Sequence, residues 1–257
     1  MLISRTRRAA LSLLSPRGPL HKAAHLSSRA RALSTTAPTD HVQRGLTLLE
    51  EGDPAKAVGQ FTLAARAGSA DGNFYLALAY DNLLGVNARG EPIVEPSPEA
   101  AYRCYLRAAD GGHAEAMMNL SFCYRHGEGV AQDVRAAFGW LERSAAAGSA
   151  RALFNAGVAL DPLHPPWGTA GDARPEHAML PKQPERAVEY YRRAVDAGHA
   201  KAKVNLGIAL YTGTGCEKDV GAAAALWKEA AEEGVVQADF CLKNMEERPG
   251  KLENYFE

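Results

Sequence analysis

Histidine and acidic side chains are the residues of this 257-residue chain that could most readily do chemistry. His164 and His177 lie with Asp161 in one proline-rich stretch, and these residue types can ligate a metal. They lack the i,i+4 and Cys-x-x-Cys spacings of metal sites, so we interpret both histidines as solvated loop residues and predict no metal site. His113 and His199 each follow a glycine in equivalent contexts, which indicates a structural role. The sequence has no Gly-x-Ser-x-Gly motif and no phosphate-binding glycine loop, so we predict no catalytic residue and no cofactor.

The four cysteines would support redox chemistry if they were paired. Cys104, Cys123, Cys216 and Cys241 include no Cys-x-x-Cys spacing, so neither a zinc site nor a thioredoxin-like motif is indicated. A buried free thiol behaves as a small hydrophobic group. We therefore interpret the cysteines as structural.

A short segment recurs five times in the sequence, and it predicts the helices that position the histidines and cysteines named above. Each copy has alanine at its second position, a bulky residue at its fifth or sixth, and a final glycine that is expected to end a helix. A second helix follows each glycine, and Asp133 and Asp219 stand at equal offsets as predicted N-caps of the next helix. The copies are residues 56–68, 100–112, 136–148, 186–198 and 222–234, and their bulky residues are Phe61, Tyr105, Trp140, Tyr190 and Trp227.

The best copies, residues 114–148 and 200–234, follow A-x-x-x-N-L-G-x-x-Y-x-x-G-x-G-V-x-x-D and then A-x-x-W-x-x-x-A-A-x-x-G. This pattern resembles the Sel-one-like repeat, a relative of the tetratricopeptide repeat, over about residues 41–245. The resemblance implies an all-α fold, a right-handed α-solenoid of about five helix-turn-helix repeats. The first unit departs from the pattern because it lacks the long turn, and two other units are lengthened.

The lengthened units divide an otherwise regular array. Prolines and glycines crowd residues 85–98 and 161–184, and such segments cannot continue a helix. We expect both to be insertions in the turn between the two helices of a unit. The predicted solenoid therefore spans residues 38–247 with these two insertions, followed by a C-terminal tail at 248–257.

The exposed face of the first helix in each unit is the predicted binding surface. Asn119, Asn155 and Asn205 occupy the same position in three units. In tetratricopeptide-type proteins this face resembles the concave surface, where such an asparagine can hydrogen-bond an extended peptide, so the resemblance implies a groove for a partner's peptide or helix. For each asparagine taken singly we favour the alternative that it ties neighbouring repeats together. The predicted contacts are Glu115, Met118, Asn119, Phe122, Arg151, Phe154, Asn155, Val158, Lys201, Val204, Asn205 and Ile208.

The longer insertion is a second candidate binding element. Trp167, with Leu163, Met179 and Leu180, places apolar groups on a proline-rich loop. A tryptophan there could anchor a partner or fold back over its own repeat, and the sequence leaves both open.

The first 37 residues predict import into mitochondria. They carry seven arginines and lysines, many serines and no acid, a composition typical of a mitochondrial presequence. A disordered basic tail or a plastid transit peptide are the alternatives. The remaining chain has 22 basic against 30 acidic residues, which argues against nucleic-acid binding. No apolar run is long enough to span a bilayer.

Two functions follow from this reading. The repeat resemblance and the presequence together imply a protein–protein interaction scaffold, an assembly factor or accessory subunit of a mitochondrial complex, in the matrix or at the matrix face of the inner membrane. The alternative is a repeat-based hydrolase or a thiol- or haem-linked redox factor, which the cysteine-rich relatives of this family resemble.

Overall fold

Short helices account for most of the residues that the structure describes. A computed structural model describes residues 37–84, 90–165 and 179–247, and within these ranges the chain forms eleven α-helices and no β-strand. The helices are α1 Pro38–Glu50, α2 Pro54–Arg66, α3 Ala70–Tyr80, α4 Pro98–Asp110, α5 Ala114–His126, α6 Val134–Ala146, α7 Ala150–Leu160, α8 Pro184–Asp196, α9 Ala200–Thr212, α10 Val220–Glu232 and α11 Val236–Glu247.

Packing between neighbours in the sequence builds an elongated array. Each odd-numbered helix from α1 to α9 packs most extensively on the even-numbered helix that follows it, and each pair then packs on the next pair. Helix α11 closes the array against α10. This arrangement confirms the predicted α-solenoid of five helix-turn-helix units, in which each unit gains stability from its neighbours.

The helix ends follow the predicted signals. The carboxylates of Asp133 and Asp219 accept hydrogen bonds from Ala136 N at 2.8 Å and Ala222 N at 2.9 Å, which confirms both N-caps. Asp53 and Ser97 cap α2 and α4 in the same way, although the sequence reading did not single them out. The five closing glycines have φ between 81° and 91°, a left-handed conformation that residues with a Cβ rarely adopt.

The core of each unit is centred on the eighth residue of its second helix. These residues, Phe61, Tyr105, Leu141, Tyr191 and Trp227, are at most 1% exposed. The prediction of Trp140 as the bulky core residue is therefore wrong by one position: Trp140 is half-buried, with the Arg143 guanidinium 4.5 Å above its ring. Tyr190 is buried in the core as predicted, at 9% exposed, while the eighth position of its helix is filled by Tyr191.

Small residues on the first helix make room for this core. Gly157 and Gly207 are the eighth residues of α7 and α9, and a Cβ at either position would overlap the ring of Tyr191 or Trp227. Ala77 and Ser121 hold the equivalent positions of α3 and α5. No helix in the described ranges is long and apolar enough to cross a membrane.

Candidate functional site

A cavity of the described structure lies between the first helices α5 and α7 and the segment that follows α3. It has a volume of about 320 Å³, and we call it the central pocket. Its walls include Leu83 after α3, and its floor is formed by Tyr105 and Leu141 of the second helices. Six of the twelve residues predicted on the first-helix face line it: Met118, Asn119, Phe122, Arg151, Asn155 and Val158.

One side of the central pocket is fixed by contacts between α5 and α7. The Arg151 guanidinium pairs with the Glu115 carboxylate at 3.6 Å, and its Nε lies 3.0 Å from the Met118 sulfur. Met118 is only 6% exposed, so its prediction as an exposed contact is wrong. It is buried because it packs into the core, with its sulfur beside Arg151. Phe122, in contrast, is 46% exposed and open to a partner.

The predicted residues of α9 do not reach the central pocket. Val204 is 5% exposed, so its predicted exposure is also wrong. It belongs to the core around Trp227, whose indole N–H donates a 3.1 Å hydrogen bond to the Val204 carbonyl. Ile208 packs partly against the same core, and Lys201 is exposed.

Phe154 is part of the contact between units. Its ring stacks on His199 of the next unit at 4.5 Å, and Phe74 stacks on His113 in the same way at 4.1 Å. His113 also caps α5, because its Nδ1 accepts a 3.2 Å hydrogen bond from Ala116 N. These contacts confirm the structural role of both histidines, and burial lowers the pKa of each. Phe154 is only half-buried, but its ring is already in contact with His199.

Asn205 forms hydrogen bonds with Tyr191 and His164, and through Tyr191 it is linked to Asp161. We call the group of Asp161, Tyr191 and Asn205, which joins two units, a polar set. The Tyr191 hydroxyl donates a 2.8 Å hydrogen bond to the buried carboxylate of Asp161, and the Asn205 amide donates to the same hydroxyl at 3.2 Å. His164 Nε2 lies 3.1 Å from the Asn205 amide and 3.8 Å from Asp161. The prediction of His164 as a solvated residue is therefore wrong, because it folds against this set; His177 lies outside the described residues. Burial and the nearby Asp161 carboxylate raise the pKa of Tyr191.

The same three residue types meet two units earlier. The Tyr105 hydroxyl donates a 2.6 Å hydrogen bond to Asp81. Burial and the Asp81 carboxylate raise the pKa of Tyr105 well above its usual value, while a hydrogen bond from the Asn119 amide acts to lower it. For Asn119 and Asn205 the structure thus supports the interpretation that the asparagines tie neighbouring repeats together.

Between these two sets the residue types change. Counting from the first residues of the helices, the positions of Asp81, Tyr105 and Asn119 are taken in the next unit by Arg125, Leu141 and Asn155. All three line the central pocket. The sequence reading missed Asp81, Tyr105, Arg125 and Leu141 as pocket residues, although their equal offsets from the repeat boundaries would have grouped them.

The four cysteines are free thiols. Cys104, Cys123 and Cys241 are buried and Cys216 is partly buried. Burial raises the pKa of Cys123 to about 12 and that of Cys241 to about 11, which keeps these thiols protonated and poorly nucleophilic.

The longer insertion is described only at its ends. Trp167 lies outside the described residues. Leu180 is 8% exposed and packs into the core, whereas Met179 is 40% exposed. The C-terminal end of the insertion therefore folds back onto its own repeat.

Stacked helix-turn-helix units with a pocket on the first-helix face define an α-solenoid of the kind that binds other molecules across its surface. The chain belongs to the Sel1 repeat family, whose repeat matches residues 70–113, 114–149, 177–199 and 200–235, more than half of the chain.

Two curated proteins are similar to parts of this chain. The chain is 28% identical over 156 residues to chitin synthase regulatory factor 3 of Schizosaccharomyces pombe, and 33% identical over 101 residues to the chitin synthase regulator SKT5 of Saccharomyces cerevisiae. These matches cover 60% and 39% of this chain but only 15% and 14% of the two relatives.

Two crystal structures share the fold. A Sel1 repeat protein from Oxalobacter formigenes superimposes with a TM-score of 0.64 at 25% identity, over 82% of this chain and 76% of that one. The protective antigen c5321 of uropathogenic Escherichia coli, which displays an SLR fold, superimposes with a TM-score of 0.51 at 22% identity, over 83% of this chain and 50% of the other.

Proposed function

We propose that this protein is a mitochondrial scaffold, an assembly factor or accessory subunit of a protein complex, that binds a partner's peptide or helix at the central pocket and has no catalytic activity of its own. The observation that carries the proposal is the central pocket itself, about 320 Å³ in volume and walled by two successive first helices, α5 and α7, and by the segment after α3. Repeat arrays use such surfaces for extended ligands.

The composition of the pocket suits a protein segment. Phe122 is a large exposed apolar side chain, and Val158 and Leu83 add apolar surface beside it. The amide of Asn155 makes no hydrogen bond within the described residues, so it can bond a partner's backbone or side chain, as predicted for the asparagines of this face. Apolar anchors with a few directed polar groups are typical of peptide grooves.

The relatives support regulation through binding. Both curated relatives are named as regulators of chitin synthase, which is consistent with Sel1 repeats that act on an enzyme without performing its reaction. The proposed mitochondrial location rests on the arginine-rich, acid-free residues 1–37 alone. We therefore place the scaffold in the matrix or at the matrix face of the inner membrane.

Native-gel electrophoresis of the tagged protein from gently solubilised mitochondria, with mass spectrometry of the co-migrating proteins, tests this proposal. A scaffold or subunit migrates with a larger assembly, and the partner is then identified directly. Migration at the mass of the processed chain, with no co-migrating protein after mild crosslinking, would contradict the proposal.

A further inference from the structure

A second pocket, with a volume of about 410 Å³, opens at the N-terminal end of the array. We call it the N-terminal pocket. It lies between the first helices α1 and α3 and the residue that precedes α5. Gln43 and Tyr75 are the sixth residues of their helices, the position that Asn119 and Asn155 hold in the central pocket, so both pockets lie on the first-helix face. The residues that line the N-terminal pocket are Thr39, Val42, Gln43, Leu46, Asp71, Tyr75 and His113.

One wall of the N-terminal pocket is apolar and firmly held. The Tyr75 ring stacks on Phe61 with their centroids 4.7 Å apart, and it meets Phe74 edge-on at 5.4 Å. Val42 is buried, and Leu46 is half-buried one helical turn further along α1. A preformed apolar wall of this kind can take an aliphatic side chain without rearrangement.

Among the described residues that line the N-terminal pocket, Asp71 is the only one that is charged at neutral pH. Its side chain is 60% exposed, and the ion-pair contact that the described structure gives it is with His113 Nε2 at 3.8 Å. Burial lowers the pKa of His113, so the imidazole is uncharged near neutral pH and leaves the charge of Asp71 in place. Glu115, at the same position of the next first helix, is already paired with Arg151. The pocket therefore offers a carboxylate beside apolar surface.

The chain enters the array at this same pocket. Ala37 is the first described residue, and Thr39, two residues later, already lines the pocket. Thr39 and Asp71 are the second residues of their helices, and His113 directly precedes α5, so the pocket reaches the N-terminal ends of three first helices. Residues 1–36, which lie outside the described residues, are therefore tethered at its edge. A short tether gives a segment an effective concentration of roughly millimolar at such a site.

The composition of residues 1–36 complements the N-terminal pocket. These residues include seven arginines and lysines, seven leucines and no acidic residue. Basic and apolar side chains lie close together in short stretches, for example Arg29, Arg31 and Leu33. A cation of such a stretch can pair with Asp71 while a neighbouring leucine packs on Tyr75. The rest of the chain has 30 acidic against 22 basic residues, and this charge difference favours the same association.

We infer that residues 1–36 of the full chain dock in the N-terminal pocket, with a basic side chain paired with Asp71 and a leucine against Tyr75. The docked segment covers one end of the first-helix face, and its removal opens that end. The precursor and the processed protein therefore differ in the surface that they offer. This consequence rests on the proposed function, because it concerns the face on which the scaffold binds its partner.

Photocrosslinking in the full chain tests the docking. Gln43 is exposed and lines the pocket, and p-benzoylphenylalanine in its place is expected to crosslink to residues 1–36, as mapped by mass spectrometry. The same group at Gln237, an exposed residue at the start of α11, is the matched control and should give no such crosslink. In an equal mixture of unlabelled and isotope-labelled protein, each crosslink should join two peptides of the same label. Crosslinks of mixed label would assign the pocket to a second copy of the chain and overturn the inference, as would the absence of crosslinks to residues 1–36.

Charge variants of the photocrosslinking protein test the chemistry of the contact. Asp71→Asn should lower the crosslink yield about two- to five-fold, the range expected for one exposed ion pair. Asp239→Asn removes an exposed acid from the first turn of α11 and should leave the yield unchanged. Replacing the seven arginines and lysines of residues 1–36 with glutamine leaves the array untouched and should lower the yield at least as much as Asp71→Asn. An undiminished yield in either of these two variants, at an unchanged melting temperature, would overturn the inference.

The two experiments separate the docking from the scaffold. If the crosslinks form as described and no partner co-migrates with the protein, the scaffold proposal fails and the docking stands. If a partner co-migrates and no crosslink to residues 1–36 forms, the docking is wrong while the scaffold stands.

Discussion

The hydroxyl of Tyr191 donates a 2.8 Å hydrogen bond to the carboxylate of Asp161, a side chain that is almost completely buried. The bond joins the second helix of one unit to the end of its first helix. The amide of Asn205, in the next unit, donates a hydrogen bond to the same hydroxyl and so links that unit as well. A buried acid needs such partners, since an unpartnered buried polar group is costly.

Tyr191→Phe should therefore destabilise the array. The change leaves the Asp161 carboxylate and the Asn205 amide without the hydroxyl that joins them, at an expected cost of about 1–3 kcal/mol in the free energy of unfolding. Tyr190→Phe is the matched control on the same helix, because its hydroxyl bonds the partly exposed carboxylate of Glu142. Urea unfolding should show a loss below about 1 kcal/mol for the control. Equal losses in the two variants would contradict the role of the polar set.

Stability should fall as the pH drops from 7 to 5. Burial lowers the pKa of His113 and His199 below the ordinary value, so the unfolded chain takes up protons before the folded one does. The stabilisation is complete above the unfolded pKa of about 6.5 and is lost as the pH falls through the folded values. Replacing both histidines with asparagine, which can keep the helix cap that His113 makes, should reduce this pH dependence of the melting temperature. An unchanged slope would show that the stacked histidines do not cause it.

The cysteines should react as four separate thiols. In the native protein, Cys216 should react first with a thiol reagent because it is only partly buried. The buried thiols of Cys104, Cys123 and Cys241 should react only after the protein unfolds. Titration in denaturant without reductant is expected to count four thiols. A count of two or none would indicate disulfides and would favour the redox alternative.

Residues 1–37 should direct import. Radiolabelled precursor incubated with energised mitochondria is expected to become shorter and resistant to added protease, and an uncoupler should prevent both changes. Replacing Arg5, Arg7 and Arg8 with glutamine should slow import several-fold, because the membrane potential acts on positive charge. Import that is unaffected by the uncoupler and by these changes would contradict the mitochondrial address.

The repeat pattern was sufficient to predict the architecture. Alanines and a closing glycine recur at fixed spacing, and this regularity fixes helix lengths, caps and the stacking of neighbours. Single positions were harder, because a one-residue shift on a helix rotates a side chain by about 100°. Trp140 and Leu141 differ in this way, and residue size favoured the tryptophan although the leucine is the buried one.

The binding face was predicted in part, for a related reason. Spacing by three or four residues selects a broad helical stripe, whose edges already belong to the core. Phe122 and Asn155 lie in the open part of that stripe, whereas Met118 and Val204 lie at its buried edge. The polar sets could not be derived from one helix, since each set takes residues from three helices and appears only when the repeats are aligned.

Capture of the partner by a pocket variant tests the central claim most directly. Phe122→Ala removes an exposed ring from the pocket, and Phe240→Ala removes a ring of similar exposure, 48% against 46%, from the closing helix α11, outside the pocket lining. Affinity purification from mitochondria, with quantitative mass spectrometry, should show a loss of the main partner of about ten-fold or more for Phe122→Ala and none for Phe240→Ala, at unchanged melting temperatures. Equal recovery of the partner with both variants would mean that the central pocket is not where this protein binds.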